Sequence, residues 1–135
     1  MIEIDDKIRH ALQTDRTVDI TTIGRKSGQP RRIEIWFHAV DGRYYLSGSP
    51  GKRSWYANLM ANPEFTFHLK GTVKVDLRAM AHPIVDKAER RAVMAKILEK
   101  LGMDSHLEAW IAGSPLVEVV FLPEDREDLY TLPPR

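Results

Sequence analysis

Apolar residues fall at every second position through Ile33-Glu34-Ile35-Trp36-Phe37-His38-Ala39, which places Ile33, Ile35, Phe37 and Ala39 on one face of a strand. Upstream, Val18-Asp19-Ile20-Thr21-Thr22-Ile23 is rich in β-branched residues, so the glycine-punctuated basic stretch 24–32 between the two runs reads as the tip of a hairpin. Asp41-Gly42 then separates the second run from Tyr44-Tyr45-Leu46 and signals a tight antiparallel turn. Alternation returns in residues 65–69 and 73–79, on either side of Lys70-Gly71-Thr72, and residues 117–122 supply a sixth strand.

Helical spacing occupies the rest of the chain. Ile4, Ile8, Ala11 and Leu12 share a face over residues 2–15, with Asp5 and Asp6 near the favourable end of the helix dipole. Ser54 is placed to cap a short helix through Trp55, Tyr56, Leu59 and Met60 that stops at Asn62-Pro63. Asp86, with Glu89 three residues on, opens a longer helix whose stripe is Val93, Met94, Ile97, Leu98 and Leu101 and whose terminator is Gly102. A shorter helical stretch holds Leu107, Trp110 and Ile111, closed by Gly113 and Pro115. Six strands joined largely by hairpins predict an α+β chain, mainly β: a small antiparallel barrel decorated by helices. The expected layout is one domain over 1–135, with an N-terminal helix at 2–15, the barrel at 18–122 and an irregular tail at 123–135. The size and the 43% hydrophobic content fit a single core.

Charge changes this picture locally. The net charge is +1, but residues 20–63 hold seven cations (Arg25, Lys26, Arg31, Arg32, Arg43, Lys52, Arg53) against two anions (Glu34, Asp41). That segment carries +5 and the rest of the chain −4, which points to a localised anion site rather than a surface that coats nucleic acid. There is no cysteine, so disulfides and thiolate metal sites are excluded and a reducing, cytoplasmic setting is expected. No apolar run reaches the roughly 20 residues of a membrane span.

Gly24-Arg25-Lys26-Ser27-Gly28-Gln29-Pro30-Arg31-Arg32 allows two readings. Gly24 and Gly28 can take positive φ, so backbone N–H groups can turn inward as a nest for a phosphate, helped by the Ser27 hydroxyl and four cations. The same residues also make an ordinary solvated turn. A P-loop is excluded, because the G-x-x-x-x-G-K-[ST] spacing is missing and a strand follows. His10, His38, His68, His82 and His106 show no metal-ligand spacing, and no serine-nucleophile motif occurs, so no metal and no hydrolytic centre are expected. His38 and Tyr56 are candidate acids beside a bound ligand, but each reads first as a half-buried polar residue, the reading favoured by several to one, so the catalytic residues stay open.

Taken in order, the basic turn, Asp41-Gly42 with its strand, the Gly/Ser/Lys loop 48–53 and Trp55-Tyr56-Ala57-Asn58-Leu59-Met60-Ala61-Asn62-Pro63 resemble the deazaflavin-dependent nitroreductase family over about residues 18–80. The resemblance implies a split β-barrel of the FMN-binding, pyridoxamine-phosphate-oxidase-like type. It also implies an oxidoreductase that binds reduced coenzyme F-420 and passes hydride to a small quinone, nitro or enone acceptor. Arg25, Lys26, Ser27, Gly28, Gln29 and Arg31 resemble the family's grip on the phosphate and tail. Ser49, Gly51 and Lys52 resemble the loop against the deazaflavin, with Trp55 closing the pocket. The region around Leu107 lacks the tyrosines that line the acceptor site of the family's best-known nitroreductase. FMN in place of F-420, or a non-catalytic flavin, haem or lipid module on the same barrel, are the competing readings. A homodimer is compatible with any of them.

Overall fold

A computed structural model describes residues 2–122, with side chains from Asp6 onward. The chain runs α1 (Ile2–Thr14), β1 (Thr17–Ile23), β2 (Pro30–Val40), β3 (Arg43–Ser47), α2 (Ser54–Ala61), β4 (Glu64–Lys70) and β5 (Lys74–Pro83). It continues through α3 (Lys87–Leu101), a single 3-10 turn at Asp104–His106, α4 (Leu107–Gly113) and β6 (Leu116–Phe121). The tail expected to be irregular, 123–135, lies outside the described residues. The strands close into a six-stranded barrel in the order β1-β2-β3-β6-β5-β4, and every neighbouring pair is antiparallel.

Local chemistry accounts for the connections. Asp41 and Gly42 both have positive φ, 52° and 78°, the two-residue geometry whose twist matches that of the flanking strands β2 and β3. Asp86 accepts a hydrogen bond from the Glu89 amide at 2.9 Å, and Gly102 ends α3 in the left-handed region at φ 68°, as the capping residues predict. Strand β5 runs on to Pro83, beyond the expected residue 79, because β6 pairs with residues 79–83. That partner lies some forty positions downstream, so nothing in the local alternation announces it. Strand β2 begins at Pro30, which places Arg31 and Arg32 opposite Thr22 and Thr21 as strand residues rather than in the turn.

The expectation of a single core is corrected. The barrel interior is filled by Val18, Ile20, Phe37, Leu46, Phe67, Leu77, Val119 and Phe121, joined by Ile8, Ala11 and Leu12 of α1 and by Trp55 and Leu59 of α2. Phe67 meets Phe37 and Phe121 edge to face at 5.4 and 5.2 Å, contacts that each add about 0.5–1.5 kcal/mol beyond burial. A second cluster lies against the outer face of the barrel wall. Val40, Tyr45 and Leu116 turn outward and are covered by Val93, Met94, Ile97 and Leu98 of α3 and Trp110 of α4. Two cores form because β2, β3 and β6 carry apolar side chains on both faces, and the amphipathic stripe of α3 needs a surface to cover. Ile33, expected on the core face of β2, is 38% exposed because it stands at the barrel's mouth.

Candidate functional site

The turn between β1 and β2 is tighter than a phosphate nest. Gly24 N–H donates to Gln29 O and Gly28 N–H to Gly24 O, both at 2.9 Å, and Gln29 N–H donates to the Ser27 hydroxyl at 3.1 Å. The Arg25 amide donates to Asn58 Oδ1 at 3.1 Å, which leaves the Lys26 and Ser27 amides as the unpaired donors of the turn among the described residues. Gly28 takes the expected positive φ of 70°, but Gly24 does not. Glycine is needed at 24 for space, since a Cβ there would stand 2.5 Å from Ser27 Oγ.

Three cavities share walls around this turn. The first, about 290 Å³, is lined by Arg25, Lys26, Ser27 and Arg31 together with Trp55 and Asn58. The second, about 750 Å³, is lined by Arg25, Gly51, Lys52, Arg53, Tyr56 and Arg90 among others. The third, about 550 Å³, is chiefly apolar and lies between the outer face of β2, the 48–53 loop and the α3–α4 corner. Trp36, His38, Ser49, Leu101, Met103 and Trp110 line it, with Trp55. Arg25 and Ser54 border the first two, Ile33 and Trp55 the first and third, and Arg53 the second and third, so the three form one groove. All three tryptophans of the chain line its apolar part. Gly28 and Gln29 stay at the exposed tip and line none of the three cavities.

Of the seven cations in the basic segment, two are neutralised away from the groove. Arg32 pairs with Asp19 at 3.0 Å and Arg43 with the buried Glu118 at 3.1 Å. The other five, Arg25, Lys26, Arg31, Lys52 and Arg53, all line the groove, and none has a carboxylate partner among the described residues. Arg25 Nη1 instead donates to Asn58 Oδ1 at 3.1 Å, and Arg53 donates to the carbonyls of Lys52 and Ser49. Neutral partners fix the direction of these guanidinium groups without cancelling their charge.

Helix α2 aims the hinge of the groove. Trp55, Asn58 and Leu59 fall on its buried side, so one turn delivers both an aromatic wall and the amide that holds Arg25. Asn58 Nδ2 also donates to Thr22 Oγ1, which ties the helix to β1. Ser54 was expected to cap this helix; the cap is Arg53, without a side-chain hydrogen bond, and Ser54 is the first helical residue. The backbone leaves its extended conformation one residue earlier than the serine rule predicts. Asn58 was missed in the sequence, although a polar residue within an otherwise apolar helical stripe marks it.

His38 faces the apolar cavity from the side of β2 opposite Phe37. Burial, aided by the Lys100 ammonium, pushes its imidazole from an ordinary 6.5 down to about 4, so the ring is neutral at neutral pH. Tyr56 lines the second cavity, half-buried, with its ring edge-on to Trp55 at 6.1 Å. Among the described residues neither has a carboxylate or hydroxyl relay, so the groove as described offers binding and shielding rather than an acid-base dyad.

The donor set suits a ligand that is anionic along one part and flat and apolar along another. The fold is shared with known proteins. A conserved hypothetical protein of Mycobacterium tuberculosis superposes with TM-score 0.68 at 22% identity, over 99% of this chain and 89% of its own. An F420-H2 dependent reductase (FDR-A) superposes with TM-score 0.59 at 24% identity, over 78% of this chain and 94% of its own. A FAD-binding protein of Mesorhizobium loti gives 0.61 at 18%, over 86% and 88%. These similarities establish the barrel as the FMN-binding, pyridoxamine-oxidase-like type. Residues 3–104 match the family described as F420H(2)-dependent quinone reductase. The chain belongs to that family and is an oxidoreductase dependent on coenzyme F-420.

Proposed function

We propose that this oxidoreductase reduces a flat, apolar acceptor of the quinone type, with nitro and enone compounds as secondary acceptors. The observation that carries this reading is the continuity of five uncompensated cations with a cavity walled by three tryptophans. Arg25, Lys26, Ser27 and Arg31, with Gly28 and Gln29 shaping the turn, hold the coenzyme's phosphate and tail; Ser49, Gly51, Lys52 and Trp55 lie against its ring. Trp36, Leu101, Met103 and Trp110 enclose the acceptor. A hydrogen bond to a charged group contributes about 1.5–3 kcal/mol, so a few such contacts suffice for tight retention.

The reduced coenzyme, when bound, supplies the hydride. What the protein's own residues contribute is orientation and exclusion of water: rigid aromatic walls confine both partners and so lower the entropic part of the barrier. The acceptor's proton comes from solvent at the open mouth of the groove, because neither His38 nor Tyr56 is set up to relay one. On this reading the protein works as a single cytoplasmic domain, and its lack of cysteine fits that compartment.

The test is anaerobic mixing of the protein with reduced F-420, or with reduced FMN, and a small quinone, following cofactor oxidation. Rapid oxidation of reduced F-420 alone is expected. Equal or faster turnover with reduced FMN rejects the assignment of the basic groove to the longer anionic coenzyme, and binding without oxidation of either cofactor favours a non-catalytic module.

A further inference from the structure

His38 stands out among the residues of the groove. It is 7% exposed, yet among the described residues its ring nitrogens have no hydrogen-bond partner. They are also not sealed off, since among the described residues the fully buried side-chain polar atoms without a partner are Asp15 Oδ2 and Ser114 Oγ. What opening the ring has is therefore toward the cavity it lines. Its polar neighbours there are otherwise engaged. Ser47 Oγ donates to Pro115 O at 2.8 Å, Arg53 is held by the Ser49 and Lys52 carbonyls, and Glu34 is paired with Lys70. Among the described residues, His38 thus joins the indole N–H groups of Trp55 and Trp110 as the largely buried polar groups without a partner in a pocket otherwise made chiefly of leucine, isoleucine and methionine, and of these it is the imidazole, not an indole.

We propose that His38 is the specificity-determining residue of the acceptor site, its neutral imidazole N–H donating to the carbonyl oxygen of a flat, apolar carbonyl compound. The inference rests on reading this cavity as the acceptor site. A buried donor without a partner penalises any occupant that cannot accept from it, so the cavity selects against plain hydrocarbons. Because the ring stays neutral at neutral pH, it adds no charge to attract a carboxylate, which separates this site from the cationic end of the groove. The same hydrogen bond stabilises charge that develops on the oxygen as the hydride arrives.

The experiment compares menadione (2-methyl-1,4-naphthoquinone) with 2-methylnaphthalene, which has the same fused-ring carbon skeleton and no carbonyl. Both are measured by equilibrium dialysis against the coenzyme-free protein. The chain contains no cysteine, so the quinone forms no thiol adduct. His38→Phe is expected to weaken menadione binding about tenfold, the scale of one buried hydrogen bond, while leaving 2-methylnaphthalene within about twofold. His38→Gln, which keeps an N–H donor, is expected to retain menadione within about threefold of wild type. His38→Met carries the same comparison should the phenylalanine variant not fold. Unchanged menadione affinity in a folded donor-free variant overturns the proposal, as does equal loss of both ligands in every variant. If the His38 dependence holds and reduced F-420 still fails to reduce menadione, the recognition stands and the reductase reading alone falls.

Discussion

At the scale of the residue, function depends on which charges are left uncancelled. Arg32 and Arg31 are neighbours in β2, but Arg32 is tied to Asp19 and Arg31 has no carboxylate partner among the described residues. Lys26→Ala and Arg31→Ala should each weaken F-420 binding by about 1–3 kcal/mol with melting unchanged, since both side chains are exposed, whereas Arg32→Ala should leave binding nearly intact. Titration of the three variants at one salt concentration decides it. Asn58 gives a sharper contrast. Asn58→Asp keeps the acceptor oxygen but pairs Arg25 with a charge, so coenzyme affinity should fall roughly tenfold, the scale of one charge-assisted contact, while the fold is retained. Affinity equal to wild type would show that the Arg25 charge is not what the ligand reads.

At the scale of the element, the structure separates what local sequence specifies from what it does not. The β2–β3 turn, the α3 caps and the α3 stripe were legible because each depends on residues a few positions apart. The length of β5 and the outward-facing second core were not, because both depend on β6 and α3 reaching strands far away in the chain. Of the ten residues expected from sequence to hold the coenzyme, eight line the groove, and Gly28 and Gln29 do not. Trp36 was hidden, and His38 was named only as a candidate acid and not as a wall of the cavity, for a specific reason: both occupy the face of β2 that strict alternation assigns to solvent, and only the α3–α4 corner turns that face into a cavity wall. Trp36, still 48% exposed, was the available signal, since a large aromatic on a solvent face calls for a partner. Gly102 offers a clean element-scale test. A Cβ there meets nothing within 4 Å, so Gly102→Ala should cost only the left-handed backbone strain, about 1 kcal/mol in denaturant titration. A loss of several kcal/mol would mean that the α3–α4 corner tolerates no adjustment.

At the scale of the molecule, burial of a neutral histidine makes the stability of the barrel pH-dependent. The folded state keeps His38 neutral down to about pH 4, whereas the unfolded chain protonates it near 6.5. Between those values the unfolded state binds the extra proton, so stability falls as the pH drops from about 6.5 to 4 and this contribution levels off below that. The loss is at most a few kcal/mol, and His38→Gln should flatten this part of the curve of melting temperature against pH. Asp19, held below the ordinary carboxylate range chiefly by its hydrogen bond from Lys70, acts in a lower window, so the two contributions are separable. A wild-type curve that is already flat from pH 6.5 to 4 would mean that His38 takes up its proton without cost in the folded state.

The order of strands around the barrel also has a consequence in time. β6 comes last among the described strands but sits between β3 and β5. During synthesis the first five strands emerge with the wall still open. Tyr44–Ser47 and residues 79–83 then present bare edges, able to pair with any extended chain nearby. Trp110, one wall of the acceptor cavity, leaves the ribosome only a few residues before the closing strand. Newly made chains therefore pass from a state prone to sticking to a state able to bind only once β6 has been added, and a ligand cannot rescue the nascent barrel before it closes.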